Sequence, residues 1–271
     1  MMSKSVRIVL SGSGILYPLH AGALQALTEE GYQIEAITGV SGGAIVGSAV
    51  ASGYTPGKEL NELILDTMPT PNDLLDPNWL GLWNWGLYSG DRILGKFREH
   101  LTPTFENLHP PLKVTTVNVD KMGDRSRPYS VFSTEHTPAM DLPLAVRASM
   151  CFPFVFEPVR IHGDRHVDGG VASMYPIDIW GEGEDVIGFH IRGGGPDTKP
   201  GKGICGLLEY AGALLDTMLH SINREHIEDA QFAKTVVLNT HHSPLYLDMT
   251  RDEAAKLIES GRRMTLQRLD T

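Results

Sequence analysis

Cysteine is scarce in this sequence, and several features of exported or membrane proteins are missing as well. The 271 residues include two cysteines, Cys151 and Cys205, which are too few for a disulfide framework. The first apolar run, residues 6–10, is too short for the apolar core of a signal peptide, and no apolar stretch approaches the roughly 18 residues of a membrane span. These absences predict a cytoplasmic protein.

The sequence also has fewer positively charged than negatively charged residues. Lys and Arg total 23 residues against 33 Asp and Glu, which gives a formal net charge of −10. Phosphate binding needs a basic surface, so nucleic acid is excluded as the main partner. Electrostatic docking onto an anionic membrane is disfavoured too, whereas insertion of apolar side chains stays open. No group of Cys and His has the spacing of metal ligands, and we expect neither a metal nor an organic cofactor.

The first fifty residues alternate between strand and helix patterns. Residues 6–10 and 34–40 predict buried strands, and residues 20–30 and 44–52 predict the helices that follow them. This alternation predicts an α/β fold with a parallel sheet covered by helices on both faces. Further predicted elements are strands at 114–119, 129–133, 186–191 and 235–239, a hairpin over 161–167 with Gly163-Asp164 at its turn, and helices at 204–223 and 251–269.

The rest of the chain adds no sign of a second domain. Residues 69–91 are interrupted by prolines and glycines and predict a long loop or a broken helix rather than a linker. No repeat or low-complexity tract is present, and residues 203–271 are expected to complete the sheet and cover it with helices. We therefore predict one domain spanning residues 1–271.

The segment Gly39-Val40-Ser41-Gly42-Gly43 is a G-x-S-x-G pentapeptide at a strand–helix junction. A serine on such a sharp turn projects its hydroxyl clear of the sheet, and glycines such as Gly39 and Gly43 leave room for the turn and the substrate. The start of the following helix adds N–H groups near a developing negative charge. A glycine-rich loop that merely packs a helix on a strand is the alternative reading of this segment.

Two more glycine-containing segments carry candidate functional groups. The loop Ser11-Gly12-Ser13-Gly14 follows the first strand, so its amides can point at a carbonyl oxygen held above Ser41. It fails as a dinucleotide-binding fingerprint, because Tyr17 stands where the third glycine belongs. The second segment places Asp168 at a strand end, followed by Gly169 and Gly170.

In these three ordered blocks, and in the segment from Arg147-Ala148-Ser149 to Pro158, the chain resembles the patatin-like phospholipases as far as about residue 180. The resemblance implies a three-layer α/β/α sandwich with a mostly parallel central sheet. It also implies hydrolysis of lipid acyl esters by a serine–aspartate dyad, with Ser41 as nucleophile and Asp168 as base. The oxyanion hole would consist of the amides around Gly12, Ser13 and Gly14.

This chain departs from the family pattern beside the glycine-rich loop. Leu16 and Tyr17 replace the usual basic residue and glycine, and Ser13 replaces a glycine. Loss of one oxyanion donor lowers a rate about 100- to 1000-fold. A slower enzyme or an unusual substrate is therefore favoured over complete loss of activity.

The resemblance leaves other functions open. An acyltransferase or a small-ester hydrolase would use the same dyad, and a catalytically silent lipid-binding regulatory protein would keep only the fold.

Chain order alone also permits a triad, because several histidines follow Asp168: His190, His220, His226, His241 and His242. We favour the dyad, because only one strand and one helix precede the serine turn.

Two aromatic clusters complete the candidate residues. Trp79, Trp83 and Trp85 form either a patch that meets a lipid surface or a cover that packs over the core. The other cluster, Phe152 to Phe156, is expected to line an apolar site around Asp168. Such surroundings would raise the basicity of its carboxylate.

Overall fold

The computed structural model describes residues 4–68, 85–121, 129–181, 185–194, 234–244 and 248–270. Its strands are β1 (Lys4–Leu10), β2 (Tyr32–Gly39), β3 (Gly86–Tyr88), β4 (Leu112–Asn118), β5 (Ser130–Ser133), β6 (Phe154–Phe156), β7 (Val159–Ile161), β8 (Asp164–Asp168), β9 (Val186–Arg192) and β10 (Lys234–Asn239). Its α-helices are α1 (Pro18–Glu29), α2 (Gly42–Ala51), α3 (Lys58–Thr67), α4 (Asp91–His100), α5 (Leu142–Ser149) and α6 (Arg251–Leu269).

Most of the described strands form one mixed sheet with the order β10-β9-β1-β2-β4-β8-β7, and β5 also pairs with β4. The pairs among β10, β9, β1, β2 and β4 are parallel, whereas β8 is antiparallel to both β4 and β7. β3 and β6 form a separate parallel pair. The predicted α/β class with a mostly parallel sheet is confirmed.

Side chains on both faces of the sheet are buried. Successive residues of a strand point to opposite faces, and Ile8, Val9 and Leu10 of β1 are all fully buried. Ile8 and Leu10 belong to the main core with residues of α1 and α2, while Val9 packs in a second cluster with Tyr175. Burial on both faces is typical of parallel strands in α/β proteins.

The carboxyl ends of the central strands bring the serine turn and the glycine-rich loop together. β1 and β2 are parallel neighbours, and the last residues of the two strands, Leu10 and Gly39, are paired. The segments that follow them, including Ser41, therefore leave the sheet at the same edge. This edge is the usual ligand-binding side of an open α/β sheet.

The C-terminal region completes the sheet and packs on it, as expected. β10 extends the sheet beyond β9, and α6 lies against α1. The two helices approach closely because each has a glycine at the contact. A Cβ on Gly22 would overlap the carbonyl oxygen of Ile258, and one on Gly261 would overlap that of Leu19.

Some details differ from the sequence predictions. The hairpin turn consists of His162 and Gly163, both with positive φ, and Asp164 already pairs with Ile161 as the first residue of β8. A two-residue turn with both residues at positive φ matches the twist of the flanking strands, which explains the shift by one residue. The predicted loop over 69–91 contains β3 near its end, whereas residues 69–84 and the predicted helix 204–223 lie outside the described residues.

Within the described part of the chain, no helix has the length and apolar composition needed to cross a membrane.

Candidate active site

Ser41 occupies a sharp turn between β2 and α2. Its backbone has φ 50° and ψ −120°, and its carbonyl oxygen accepts the N–H groups of Ala44 and Ile45 in the first turn of α2. A non-glycine residue at positive φ is strained, and such strain persists where the surrounding structure enforces it. The turn also needs glycines, because a Cβ on Gly39 would overlap the main chain of Ala44 and one on Gly43 would overlap the carbonyl oxygen of Leu10. The local geometry is that of a nucleophile elbow.

Asp168 reaches the same level of the sheet from the opposite direction. β8 runs antiparallel to β4, and Asp168 pairs with Thr116 of β4. Two residues earlier in β4, Val114 pairs with Gly39 at the end of β2. The next residue, Gly169, has no room for a side chain, because a Cβ there would lie against the carbonyl oxygen and hydroxyl of Thr115. The end of β8 therefore places this carboxyl group beside the serine turn.

The Ser41 side chain is close enough to the Asp168 carboxylate to lower the pKa of that carboxyl group as a hydrogen-bond partner. Both residues are almost completely buried, with exposures of 6% and 4%. Burial raises the pKa of Asp168 to about 7, because a charged carboxylate loses its water. The hydrogen bonds from the Ser41 hydroxyl and the Gly170 N–H, the latter 2.7 Å long, oppose this rise only in part.

No histidine is among the groups that shift the pKa of Asp168 in the described structure. His166, which is close in sequence, contacts the Thr116 hydroxyl through Nδ1 at 2.9 Å instead. His190 lies against Tyr175, with 5.1 Å between the ring centroids. His241 and His242 follow β10 in a loop. His220 and His226 lie outside the described residues.

The glycine-rich loop lies directly against the elbow. A Cβ built on Gly12 would be 3.7 Å from the Cβ of Ser41, and one on Gly42 would overlap the buried hydroxyl of Ser13. The N–H of Gly12 donates to the carbonyl oxygen of Met174 at 2.8 Å. Among described residues, none accepts a hydrogen bond from the amides of Ser13 and Gly14. The Gly12 amide therefore already has an acceptor, and the assignment of the oxyanion hole to the amides around Gly12, Ser13 and Gly14 stays a prediction.

Leu16 and Tyr17 do not project into this site. Both side chains are buried in the main core, with exposures of 0% and 3%. The two side chains that depart from the family pattern therefore pack in the core of this protein.

Comparison with known proteins agrees with this geometry. The family model described as patatin-like phospholipase matches residues 8–179, which include both segments that carry Ser41 and Asp168. The chain belongs to the patatin-like phospholipase family. It is therefore a serine esterase of the lipid ester hydrolase type.

Similar proteins come from bacteria and viruses. This patatin-like chain is 29% identical to YqhO of Bacillus subtilis over 95% of each chain. It is 28% identical to 463L of invertebrate iridescent virus 6, described as a probable lipid hydrolase, over 64% of this chain and 62% of that protein. The crystal structure of VipD from Legionella pneumophila shares the fold, with a TM-score of 0.57 and 17% identity over 98% of this chain and 66% of VipD.

Several residues of this patatin-like site were not found from the sequence. Ser149 accepts the N–H of Ser41 through its hydroxyl at 2.9 Å, across 108 positions of the chain. Met174 lies between the loop and the carboxylate, since its sulfur atom would contact a Cβ on either Gly12 or Gly170. His20 Nε2 lies 2.9 Å from the carbonyl oxygen of Ser11. Only the tertiary structure reveals these contacts, because no local spacing encodes them.

His20 positions the start of the glycine-rich loop as a neutral donor. Burial lowers the pKa of its imidazole to about 4, so the ring is uncharged at neutral pH. In that form, Nε2 carries the proton and donates to Ser11. The loop is thus anchored from α1 without placing a positive charge near the site.

The structure divides the aromatic cluster Phe152 to Phe156 between the protein surface and a small apolar cluster. Phe154 is 59% exposed, whereas Val155 and Phe156 pack with Cys151 and Ile93 in a small cluster. Trp85 is 64% exposed, while Trp79 and Trp83 lie outside the described residues. The strand pairing of Gly86 with Phe154 places the two exposed rings, Trp85 and Phe154, at the same end of the β3–β6 pair.

Proposed function

We propose that this chain hydrolyses carboxylic esters of lipids with Ser41 as nucleophile and Asp168 as general base. The observation that carries the proposal is the contact between the Ser41 hydroxyl and a buried carboxylate whose pKa is raised to about 7. An ordinary Asp, with a pKa near 3.9, is a poor base for a hydroxyl group. A base with a pKa near the working pH combines a useful ionised fraction with useful basicity.

The proposed reaction has two steps. Asp168 takes the proton of the Ser41 hydroxyl as the oxygen attacks the ester carbonyl, and the alcohol leaves with a proton from the same carboxyl group. Water then attacks the acyl-enzyme while Asp168 again accepts a proton, and Asp168 passes this proton to the Ser41 oxygen as the bond to the acyl carbon breaks and the fatty acid is released. The phospholipase A or lysophospholipase type is our assignment for the substrate.

We assign the oxyanion hole to backbone amides on two sides of the elbow. Ser13 and Gly14 contribute from the loop, and Gly42 contributes from the first turn of α2. The first N–H groups of a helix have no partner within the helix, and the residue after the nucleophile supplies one donor in comparable elbows. The positive end of the α2 dipole stabilises the negative charge that develops on the carbonyl oxygen of the substrate.

The proposed activity predicts covalent labelling of Ser41 by a fluorophosphonate and release of fatty acid from lipid esters. We expect a labelled peptide containing Ser41, because only an activated serine attacks phosphorus. The measurement combines mass spectrometry of the labelled protein with product analysis on phosphatidylcholine, a lysophospholipid and a short nitrophenyl ester. Acyl transfer to an added alcohol in preference to water would favour the acyltransferase. Absence of both labelling and products would favour the silent lipid-binding protein.

We further propose that Trp85 meets a lipid surface together with Trp79 and Trp83, and that Phe154 extends this patch. Trp85 and Phe154 are both exposed, and both are held at positive φ, 67° and 68°. Bulky residues rarely adopt this conformation, and indole rings favour the boundary between headgroups and acyl chains. Because this patch would bind through apolar contact rather than electrostatic attraction, the net negative charge of the chain does not prevent binding to a lipid surface.

This surface predicts a selective defect in the double variant Trp85→Ala/Phe154→Ala. We expect about tenfold slower hydrolysis of phosphatidylcholine vesicles, because two apolar anchors are lost. Hydrolysis of the soluble nitrophenyl ester should be unchanged. Trp85→Phe, which keeps a ring, serves as the control. Equal losses on vesicles and on the soluble ester would contradict a role at the lipid surface.

A further inference from the structure

One short segment contacts the main chain of both proposed catalytic residues. The N–H of Ser41 donates to the Ser149 hydroxyl at 2.9 Å, and the N–H of Asp168 donates to the carbonyl oxygen of Cys151 at 2.9 Å. Ser149 is the last residue of α5, and Cys151 follows two residues later. The end of α5 therefore sets the relative positions of two residues that are far apart in sequence.

The backbone of Ser41 needs such a contact. Its positive φ is costly for a residue with a Cβ, so neighbouring groups must hold it in place. Its N–H group is buried, and a buried donor without a partner is unfavourable. Ser149 is itself fully buried, so bulk water does not replace its hydroxyl.

The segment is suited to holding another residue because it is anchored at several points. The N-terminus of α5 is capped by the Asp141 side chain, which accepts the N–H of Leu144 at 2.8 Å. The buried guanidinium of Arg147 donates to the carbonyl oxygens of Ser89, at 2.6 Å, and Gly90, at 3.3 Å. Beyond the helix, the Cys151 thiol donates to the carbonyl oxygen of Glu157 at 2.9 Å.

We propose that Ser149 is a positioning residue for the reaction. Its hydroxyl holds the main chain of Ser41 in the elbow conformation and so keeps the Ser41 side chain at the Asp168 carboxylate. The inference rests on the proposed function, in which Ser41 is the nucleophile. Small displacements of a reacting group lower rates about 100-fold, so a residue that never touches the substrate can still control turnover.

The test compares Ser149→Ala with Ser149→Thr and Ser133→Ala. Ser133 is also buried, and its hydroxyl accepts the N–H of His136 at 3.0 Å, so Ser133→Ala removes the same kind of bond outside the site. We measure kcat, KM, the rate of fluorophosphonate labelling and the melting temperature. For Ser149→Ala we expect kcat and the labelling rate to fall about 10- to 100-fold, with KM changed by less than about threefold.

Ser149→Thr, which keeps the hydroxyl, should recover most of the rate, and Ser133→Ala should lose stability but keep kcat. Ser149→Cys provides a second variant of nearly the same shape with a weaker acceptor, and we expect an intermediate rate. Wild-type kcat and labelling in Ser149→Ala or Ser149→Cys would overturn the inference. A wild-type protein that neither labels nor turns over would instead overturn the proposed function.

Discussion

Ser41→Ala should reduce ester hydrolysis to background, and Asp168→Asn should lower kcat/KM by about 100- to 10,000-fold. Alanine at position 41 has no oxygen to form the acyl-enzyme. Asparagine at position 168 keeps the shape of the side chain and an oxygen for the Gly170 N–H, but it cannot accept the proton of the serine. Steady-state rates on a soluble ester, together with the rate of fluorophosphonate labelling, measure both effects.

Each of these variants has a matched control. Ser48 is a buried serine in α2, the helix that follows Ser41, and its hydroxyl donates to the carbonyl oxygen of Ile45 at 2.9 Å, so Ser48→Ala removes a local bond only. Asp164 begins the strand that ends at Asp168 and accepts the amide of Asn118 at 3.0 Å. Ser48→Ala and Asp164→Asn should keep wild-type turnover within a few-fold. More than about a tenth of wild-type activity in Ser41→Ala would end the assignment of the nucleophile.

Asp168→Asn should also stabilise the folded protein, and the gain should grow with pH. Burial raises the pKa of Asp168 from 3.8 to about 7. The folded state therefore binds the proton more tightly than the unfolded state does. The stability that this proton contributes is fully present below about pH 4 and is lost as the pH rises to about 7. At pH 8 the folded wild type holds a buried charge that the Asn variant lacks.

The size of this effect follows from the shift in pKa. A rise of about three units in the pKa corresponds to a change of roughly 4 kcal/mol in the free energy of unfolding. This value is the upper limit for the stability that is lost between low pH and a pH well above 7. Urea unfolding of wild type and Asp168→Asn at pH 4.5 and pH 8 measures the difference in free energy of unfolding. Other titrating groups contribute equally to both proteins and cancel in the comparison. A difference that does not change with pH would show that Asp168 has an ordinary pKa.

The same pKa bears on the choice between a dyad and a triad. A decline in kcat/KM below about pH 7 is expected from Asp168 alone, because the protonated carboxyl group cannot act as base. A pH–rate profile that declines near the usual pKa of histidine is therefore no sign of a triad in this protein. The pH-dependent stability gain in Asp168→Asn identifies the carboxyl group directly.

Local patterns predicted the elements that depend on neighbouring residues. The strand ending at Leu10 and the helix Arg251–Leu269 follow from hydrophobic runs and periodicity, and the latter begins with a capping box between Thr250 and Glu253. Helices such as Leu142–Ser149 were missed, because this short helix has a proline in its first turn and runs on into an apolar segment. The hairpin turn was misplaced by one residue, because positive φ at His162 is decided by strand pairing rather than by residue type.

Local features of the sequence are sufficient to predict the chemistry of the candidate site. A serine between glycines at a strand end, a glycine-rich loop before it and an aspartate followed by two glycines are local features, and they identify the family. Which groups lie next to one another follows only from the way the chain packs. Hydrogen bonds such as those from Ser41 to Ser149 and from Gly12 to Met174 join distant segments, and burial sets the pKa of Asp168. Burial and long-range contacts are properties of the packed chain, so no stretch of sequence encodes them alone.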